Sequence, residues 1–374
     1  MPIKSRGAVI RSAPGKFEVV DLVVDDPRQN EIRVKMVASG LCHSDDHMAT
    51  GDMPVATYPM CGGHEGAGIV ESVGPNTHGF AEGDKVVFSF LPSCGKCRWC
   101  ATGHQNLCDL GATLLVGSRW DDPTSFRLHL DDGTPVGQAL GISTFAEMTT
   151  VAVDSAIKVA DDTPLEKACL LGCSVGTGWG SAVNTGEVRP GDTVIVMGVG
   201  GIGIHAVQGA VHAGATNVIA VDPITFKRET AESLGATHSV ATMDEALQIA
   251  QGFTNGQGAD VAIVTVGVTN GGHVAEAFNS VRKQGTVVVT GLGDLTEVGV
   301  PIPISQLTLF EKKIKGSLFG SSNPAADIPR LLEMYRAGHL QLDQLVTTEY
   351  ALEDIAQGYE DMHAGKNIRG VIRF

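Results

Sequence analysis

No run of 18 or more apolar residues occurs in this 374-residue sequence, so no segment reads as a membrane-spanning helix. The opening MPIKSRGAVI also lacks the long apolar core of an export signal, and a cytoplasmic protein is expected. Basic side chains are few: 27 Lys plus Arg against 42 Asp plus Glu leave a net charge of −15. Such a field repels phosphate backbones and anionic lipid surfaces, which argues against nucleic-acid and membrane partners. Internal repeats, low-complexity tracts and blocks of like charge are absent as well.

What is present is a globular composition, 43% hydrophobic and 18% charged, on a chain long enough for two domains of roughly 150 to 200 residues. The N-terminal half reads as short strands between irregular segments. Glu31 to Val37 alternates, with Ile32, Val34 and Met36 on one face and Arg33 and Lys35 on the other; Gly68 to Val73 and Lys85 to Phe88 are similar. From about Asp192 the rhythm becomes strand, helix, strand. Apolar runs recur at Thr193 to Met197, Asn217 to Val221, Val261 to Val266, Thr286 to Thr290 and Lys313 to Leu318, with a weaker one near Thr237 to Val240. Lys227 to Leu234 and Gly272 to Val281 have helical composition. This alternation predicts a doubly wound parallel sheet with helices on both faces. After Phe319 one amphipathic helix, Asp327 to Ala337, and a closing strand near Gly370 to Phe374 are expected.

Eight cysteines without an export signal point to metal binding or catalysis rather than disulfides. Cys94, Cys97, Cys100 and Cys108 stand as CxxCxxCx7C in a turn-rich segment. Four thiolates so spaced can wrap one tetrahedral zinc and leave no coordination position open, which makes the site structural. An iron–sulfur cluster is the rival reading, but nothing else suggests electron transfer. Gly198, Gly200 and Gly203 form GxGxxG after the run Thr193 to Met197, the context in which glycines admit a pyrophosphate at a helix N-terminus. Asp222, 19 residues beyond Gly203, can accept hydrogen bonds from an adenosine ribose and would repel a 2′-phosphate, favouring NAD over NADP.

Cys42 in GLCHSDDH, His64 in GGHEG and Cys173 in LLGCSVGTG each have a plain explanation as a buried residue when taken singly. Together with GGHEGAGIV, the four-cysteine lobe, LLGCSVGTGWGSAV and NIRGVIRF, they resemble the zinc-containing alcohol dehydrogenases of the medium-chain dehydrogenase/reductase family in order and spacing over nearly the whole chain. The resemblance implies a GroES-like β-rich catalytic domain, residues 1–175 and 319–374, and a Rossmann domain, residues 176–318. It implies two zinc ions per chain. Cys42, His64 and Cys173 would hold the catalytic one, with Asp45 orienting His64. Glu65 would lie beside that ion, unless it is held in an internal salt bridge.

The resemblance extends the cofactor set to His43, Thr177, Gly198, Gly200, Gly201, Ile202, Gly203, Asp222, Lys227, Val266 and Arg369. His43 stands where many relatives carry arginine. It also supplies a proton path through Ser44 and the cofactor ribose to His47, the base nearer solvent, unless His47 is merely a surface histidine. Met53, Phe90, Ala139, Leu140 and Leu318, with Ser44, would line the substrate pocket. Small residues at Ser44 and Ala139 imply a roomy pocket for medium-length or aromatic primary alcohols and their aldehydes. Cys61 and Cys169 are expected to be buried thiols without a ligand role.

The chemistry so implied is hydride transfer from a zinc-acidified alcohol to NAD, since zinc can lower the pKa of bound water from 15.7 to about 7. The branch that oxidises a glutathione adduct of formaldehyde uses an arginine soon after the zinc lobe; here the first is Arg119, which disfavours it. PSCGKC, NLCDLGA and GKNIRGVIR resemble the bacterial NDMA-dependent or nicotinoprotein branch, which keeps NAD bound and recycles it with an external electron acceptor. A non-enzymatic NAD- or zinc-binding protein on the same scaffold is the alternative from another class. A homodimer or larger homo-oligomer is expected. The apolar segment Pro301 to Leu309 reads either as a subunit contact or as an internal core strand.

Overall fold

A strand covered on both faces reads in sequence as an unbroken apolar run. In the computed structural model, which describes residues 1–374, Thr193–Met197 is a strand buried from end to end and Asn217–Val221 one buried from Val218 onward. The chain divides into two compact units, one of Met1–Cys173, Asn323–Arg336 and Leu342–Phe374, the other of Ser174–Ser322 and Ala337–Gln341.

The second unit is a six-stranded parallel sheet in the order His238–Val240, Asn217–Val221, Thr193–Met197, Ala259–Val264, Val281–Val289, Lys313–Gly316. In chain order this is 3-2-1-4-5-6, the doubly wound arrangement in which a dinucleotide lies across the reversal point at the carboxyl ends of the strands. Helices Gly203–His212, Thr225–Ser233, Met243–Phe253 and Gly271–Ser280 connect the strands. Ile195, Ile219, Ala262, Phe278 and Val287 share one of its cores.

The unit boundary departs from the sequence reading at residues 319–322, which pack with the second unit. Phe319, Gly320 and Ser321 are three successive left-handed residues, with φ of 53°, 63° and 50°. The turn is held because Gly176 and Gly180 leave a slot for it: a Cβ on Gly180 would lie 2.2 Å from the Gly320 carbonyl oxygen. Each non-glycine residue held so costs about 1 to 2 kcal/mol. Ala337–Gln341 also returns to this unit, where Gln341 and Gln208 exchange two hydrogen bonds of 2.7 and 3.1 Å.

The first unit is β-rich. Ile3–Ile10, Glu18–Val24, Leu128–His129, Pro135–Gln138 and Met60–Cys61 close into a small barrel. A seven-stranded sheet runs Ala156–Lys158, Lys85–Phe88, Glu65–Val73, Glu31–Gly40, Arg369–Arg373 and Val346–Tyr350, with Met148–Ala152 also pairing with Glu31–Gly40. The alternation expected for Glu31 to Val37 holds at Ile32, Val34 and Met36, which are buried, and at Lys35, which is exposed. Arg33 is buried too, neutralised by Glu71 at 2.7 Å and Asp26 at 3.0 Å.

The C-terminal part carries more structure than expected. Besides Pro324–Arg336 there is a strand, Val346–Tyr350, and a second helix, Ile355–His363. That helix buries only Ile355, Gly358 and Tyr359, too thin a stripe to stand out in sequence. The apolar segment near Pro301 is not a core strand: it contains the helix Ile304–Leu309, with no buried residue.

Candidate active site

Four potential ligand atoms, from Cys42, His64, Glu65 and Cys173, lie within 4.8 Å of one another, and all four residues are buried. The local fold delivers each. Cys42 is the N-cap of the helix His43–Thr50, where the helix dipole favours a thiolate. His64 follows Gly63, whose φ is 91° and whose Cβ would strike the Phe145 backbone nitrogen at 2.4 Å; only glycine fits. Glu65 opens the strand Glu65–Val73, and Cys173 is a non-helical joint between two helical turns, with φ −145° and ψ −80°.

The partners fix orientation and charge. His64 Nδ1 lies 2.9 Å from Asp45 Oδ2, while Asp45 Oδ1 accepts the Gly63 N–H at 2.8 Å. Glu65 Oε2 pairs with Arg369, whose guanidinium also donates to the Leu41 carbonyl at 3.0 Å; Glu65 Oε1 has no partner. The salt-bridge reading of Glu65 and its place in the cluster are therefore both present. A hydrogen bond from Cys173 holds the Cys42 thiol well below its usual pKa, and the same bond raises that of Cys173. Burial opposes a charged His64, but Asp45 and the Cys42 thiolate outweigh it and raise its pKa well above the ordinary value. Burial pushes Glu65 up to about 7 despite the lowering effect of Arg369. Two sulfurs, an imidazole and a carboxylate suit a borderline-soft dication such as zinc.

The second cluster is the lobe of Cys94, Cys97, Cys100 and Cys108. Its Sγ atoms lie 4.0 Å apart for Cys94 and Cys100 and 3.9 Å apart for Cys97 and Cys108. Thiolates about 2.3 Å from a tetrahedral zinc stand roughly 3.8 Å from each other, so the set fits one ion. Backbone N–H groups of Cys100 and Asp109 bring the Cys97 thiol down to about 6. Cys61 and Cys169 lie outside both clusters and are fully buried.

In the other unit the loop after Thr193–Met197 is built for close approach. Gly198 has φ 86°, and a Cβ on Gly203 would lie 1.9 Å from the Gly198 carbonyl oxygen. Above Gly200 the space is open, the nearest atom being Lys227 Nζ at 3.9 Å. Asp222 ends the neighbouring strand. Its Oδ2 accepts the Val199 N–H at 3.1 Å and its Oδ1 the Ile224 N–H at 2.9 Å. Thr265, which sequence reasoning missed, donates to the Gly198 carbonyl at 2.6 Å and fixes the turn; no pattern marks it in the sequence.

Two family models match: one described as alcohol dehydrogenase GroES-like domain, at residues 28–161, and one described as zinc-binding dehydrogenase, at residues 201–337. The NDMA-dependent alcohol dehydrogenase of Amycolatopsis methanolica is 52% identical over 370 residues, 99% of each chain. The chain belongs to the zinc-binding alcohol dehydrogenase family. Alcohol dehydrogenase B of Mycobacterium tuberculosis is 47% identical over 372 residues, 100% of this chain and 99% of that one. Benzyl alcohol dehydrogenase from Acinetobacter calcoaceticus superposes with a TM-score of 0.91 at 30% identity, covering 100% of this chain and 99% of the other.

In this alcohol dehydrogenase, then, the GroES-like and Rossmann-like parts are the β-rich and parallel-sheet units described above. His47 is not at the surface. It is 3% exposed, its Nδ1 lying 3.2 Å from Oδ2 of Asp52, which is the more exposed of the two. Asp52 was not foreseen; it sits just past the helix end, where Gly51 turns the chain with φ 98°. Ser44 Oγ lies 3.8 Å from Cys42 Sγ. Burial lowers the pKa of His43, whose ring neighbours those of His47 and His363. Phe90 meets His64 edge-on at 5.5 Å. Met53 and Ala139 are buried in one cluster, and Leu140 takes φ 50° in the turn after Ala139. In the Rossmann-like unit, Leu318 opens the left-handed turn and Thr177 is buried with its hydroxyl unpartnered. Gly201, Ile202 and Val266 border the glycine turn there.

Proposed function

We propose that this alcohol dehydrogenase interconverts medium-length or aromatic primary alcohols and their aldehydes, with NAD as the hydride carrier and two zinc ions per chain. The observation that carries this reading is the convergence of Cys42, His64, Glu65 and Cys173 within 4.8 Å, with Asp45 behind the histidine. Cys42, His64 and Cys173 are the protein ligands of the catalytic ion, and the four-cysteine lobe holds the structural one. Zinc, when bound, supplies a Lewis acid for the alcohol oxygen, and NAD accepts the hydride.

The chain's own residues do the rest. Asp45 fixes the ring of His64. Glu65 and Arg369 neutralise each other at the rim of the ligand set. Ser44 takes the alcohol proton, and His47, backed by Asp52, carries it outward. Asp222 favours a free ribose over a phosphorylated one. Phe90, Met53, Ala139 and Leu140 give the substrate an apolar wall.

Assay of an alcohol panel with NAD tests the substrate class: benzyl or hexyl alcohol should show a higher kcat/KM than ethanol, and the reverse order would contradict it. Cys42→Ser should abolish turnover while leaving NAD binding in place.

A second reading, NAD retained through turnover and recycled by an external electron acceptor, is favoured by the 52% identity to an NDMA-dependent enzyme. Acid extraction of the purified protein decides it, one NAD per chain supporting retention and none opposing it. A homodimer through the Rossmann-like unit is supported by its open edge strand, Lys313–Gly316, and by the exposed side chains of Val298, Ile304 and Leu309.

A further inference from the structure

The helix Ser174–Gly180 does not end in an ordinary way but continues as one π-turn, Ser181–Thr185, closed by the Gly186 N–H on the Ser181 carbonyl at 2.9 Å. Single π-turns inside helices concentrate at functional positions. Around this one the second unit buries a chain of hydroxyls. Ser181 Oγ donates to the Thr177 carbonyl at 2.6 Å, and it also lies 2.9 Å from Thr290 Oγ1 and 3.1 Å from Ser317 Oγ. Ser317 Oγ lies 2.9 Å from Thr185 Oγ1, which lies 2.8 Å from Ser321 Oγ.

Proton counting gives the chain a direction. A hydroxyl donates once. The Ser181 proton is committed to the Thr177 carbonyl, so Thr290 and Ser317 must both donate to Ser181. The Ser317 proton is then used, so Thr185 donates to Ser317, and by the same reasoning Ser321 donates to Thr185. The line runs one way, from Ser321 in the left-handed turn to the carbonyl of Thr177. Aligned bonds of this kind polarise and stiffen one another. Asn184 adds a 3.0 Å bond to the Gly320 carbonyl, and Ser322 a 3.3 Å bond to that of Gly176.

The two ends of the line are the places with something left over. Thr177 is buried, and its own hydroxyl has no partner. The turn Phe319–Ser321 keeps a backbone conformation that its non-glycine residues would not choose. The line itself joins the chain just past Val281–Val289 and Lys313–Gly316, through Thr290 and Ser317. The adenosine half of a dinucleotide belongs over Asn217–Val221, where Asp222 stands, so the other half belongs over Ala259–Val264 and Val281–Val289, and Thr290 directly follows the latter strand.

We infer that the directed hydroxyl line Ser321–Thr185–Ser317–Ser181 is a positioning device that holds Thr177 and the left-handed turn in register for the nicotinamide half of the cofactor. This inference rests on the NAD reading above. Ser181 and Thr185 are positioning residues, acting through Thr177 and the turn. The hydroxyl that remains free at Thr177 is the group the line aims.

The test is Thr185→Val, which keeps shape but breaks the line in the middle, beside Thr185→Ser, which keeps the hydroxyl. Two probes are compared: NADH, whose release from the holoenzyme is followed by nicotinamide fluorescence during a chase with excess NAD, and ADP-ribose, which lacks only the nicotinamide ring, titrated by calorimetry. Thr185→Val removes both of the line's bonds at Thr185, and the part of that loss felt by the cofactor, about one hydrogen bond's worth, should speed NADH release by about three- to tenfold. Thr185→Val should show that change with ADP-ribose affinity unchanged and the protein still cooperatively folded at the assay temperature, and Thr185→Ser should restore the wild-type rate. Equal losses for both probes, or a Thr185→Val protein that releases NADH as the wild type does, would overturn the inference. Wild-type protein that has been stripped of any bound nucleotide, is still folded and binds neither probe would instead overturn the NAD reading itself.

Discussion

Nδ1 of His64 lies 2.9 Å from Oδ2 of Asp45, and neither side chain touches solvent. The pair leaves Nε2 as the imidazole nitrogen available to the sulfurs of Cys42 and Cys173. Removing a partner of this type ordinarily costs about 10- to 100-fold in metal affinity or activity. Asp45→Asn should therefore lose zinc to a chelator at concentrations the wild type resists, with its far-ultraviolet circular dichroism unchanged. Equal resistance in the two proteins would mean that Asp45 serves the fold and not the metal.

Glu31 offers a stability prediction far from the metal. Its carboxylate is buried between Arg127 Nε at 2.7 Å and Arg119 Nε at 3.0 Å. Burial alone would raise the Glu31 pKa, but Arg127 and Arg119 outweigh it and hold it below the ordinary value. A carboxyl depressed in the folded state stabilises above its unfolded pKa of about 4.3, and that contribution is lost as pH falls through the folded value. Glu31→Gln leaves two buried guanidiniums without their carboxylate, a change that ordinarily costs about 3 to 5 kcal/mol. Melting curves at pH 7 should show the variant clearly below the wild type, with the gap closing only in acid below about pH 4. A gap that is the same at every pH would contradict the ion-pair explanation.

The two cysteines outside the clusters should be chemically silent. Burial pushes Cys61 and Cys169 each up to about 12. At pH 8 only about one molecule in ten thousand then carries either thiolate, the nucleophilic form. Alkylation of the native protein with iodoacetamide, followed by peptide mass mapping, should leave both unmodified, and unfolding should expose both. Native labelling at either position would show that its packing is looser than described.

These predictions draw on features that differed widely in how readable they were. The parallel sheet was legible because strands such as Thr193–Met197 are buried on both faces and carry no polar interruption. The four-cysteine lobe and the glycine loop were legible because their chemistry is local in sequence. Arg33 was misread because the groups that allow its burial, Asp26 and Glu71, come from other strands and loops. The helix Met243–Phe253 went unremarked although its start was readable: Thr242 and Glu245 form a reciprocal cap. The hydroxyl line was out of reach, since serine and threonine fit exposed and buried positions alike and only the fold brings Ser181, Thr290 and Ser317 together.

Zinc content, counted per chain on active protein, bears on the account most directly. The wild type should hold two ions, with Cys173→Ser and Cys100→Ser each holding one, the former inactive and the latter loosened to proteolysis between Cys94 and Cys108. Active wild-type protein with a single ion, retained in Cys173→Ser and lost in Cys100→Ser, would contradict it.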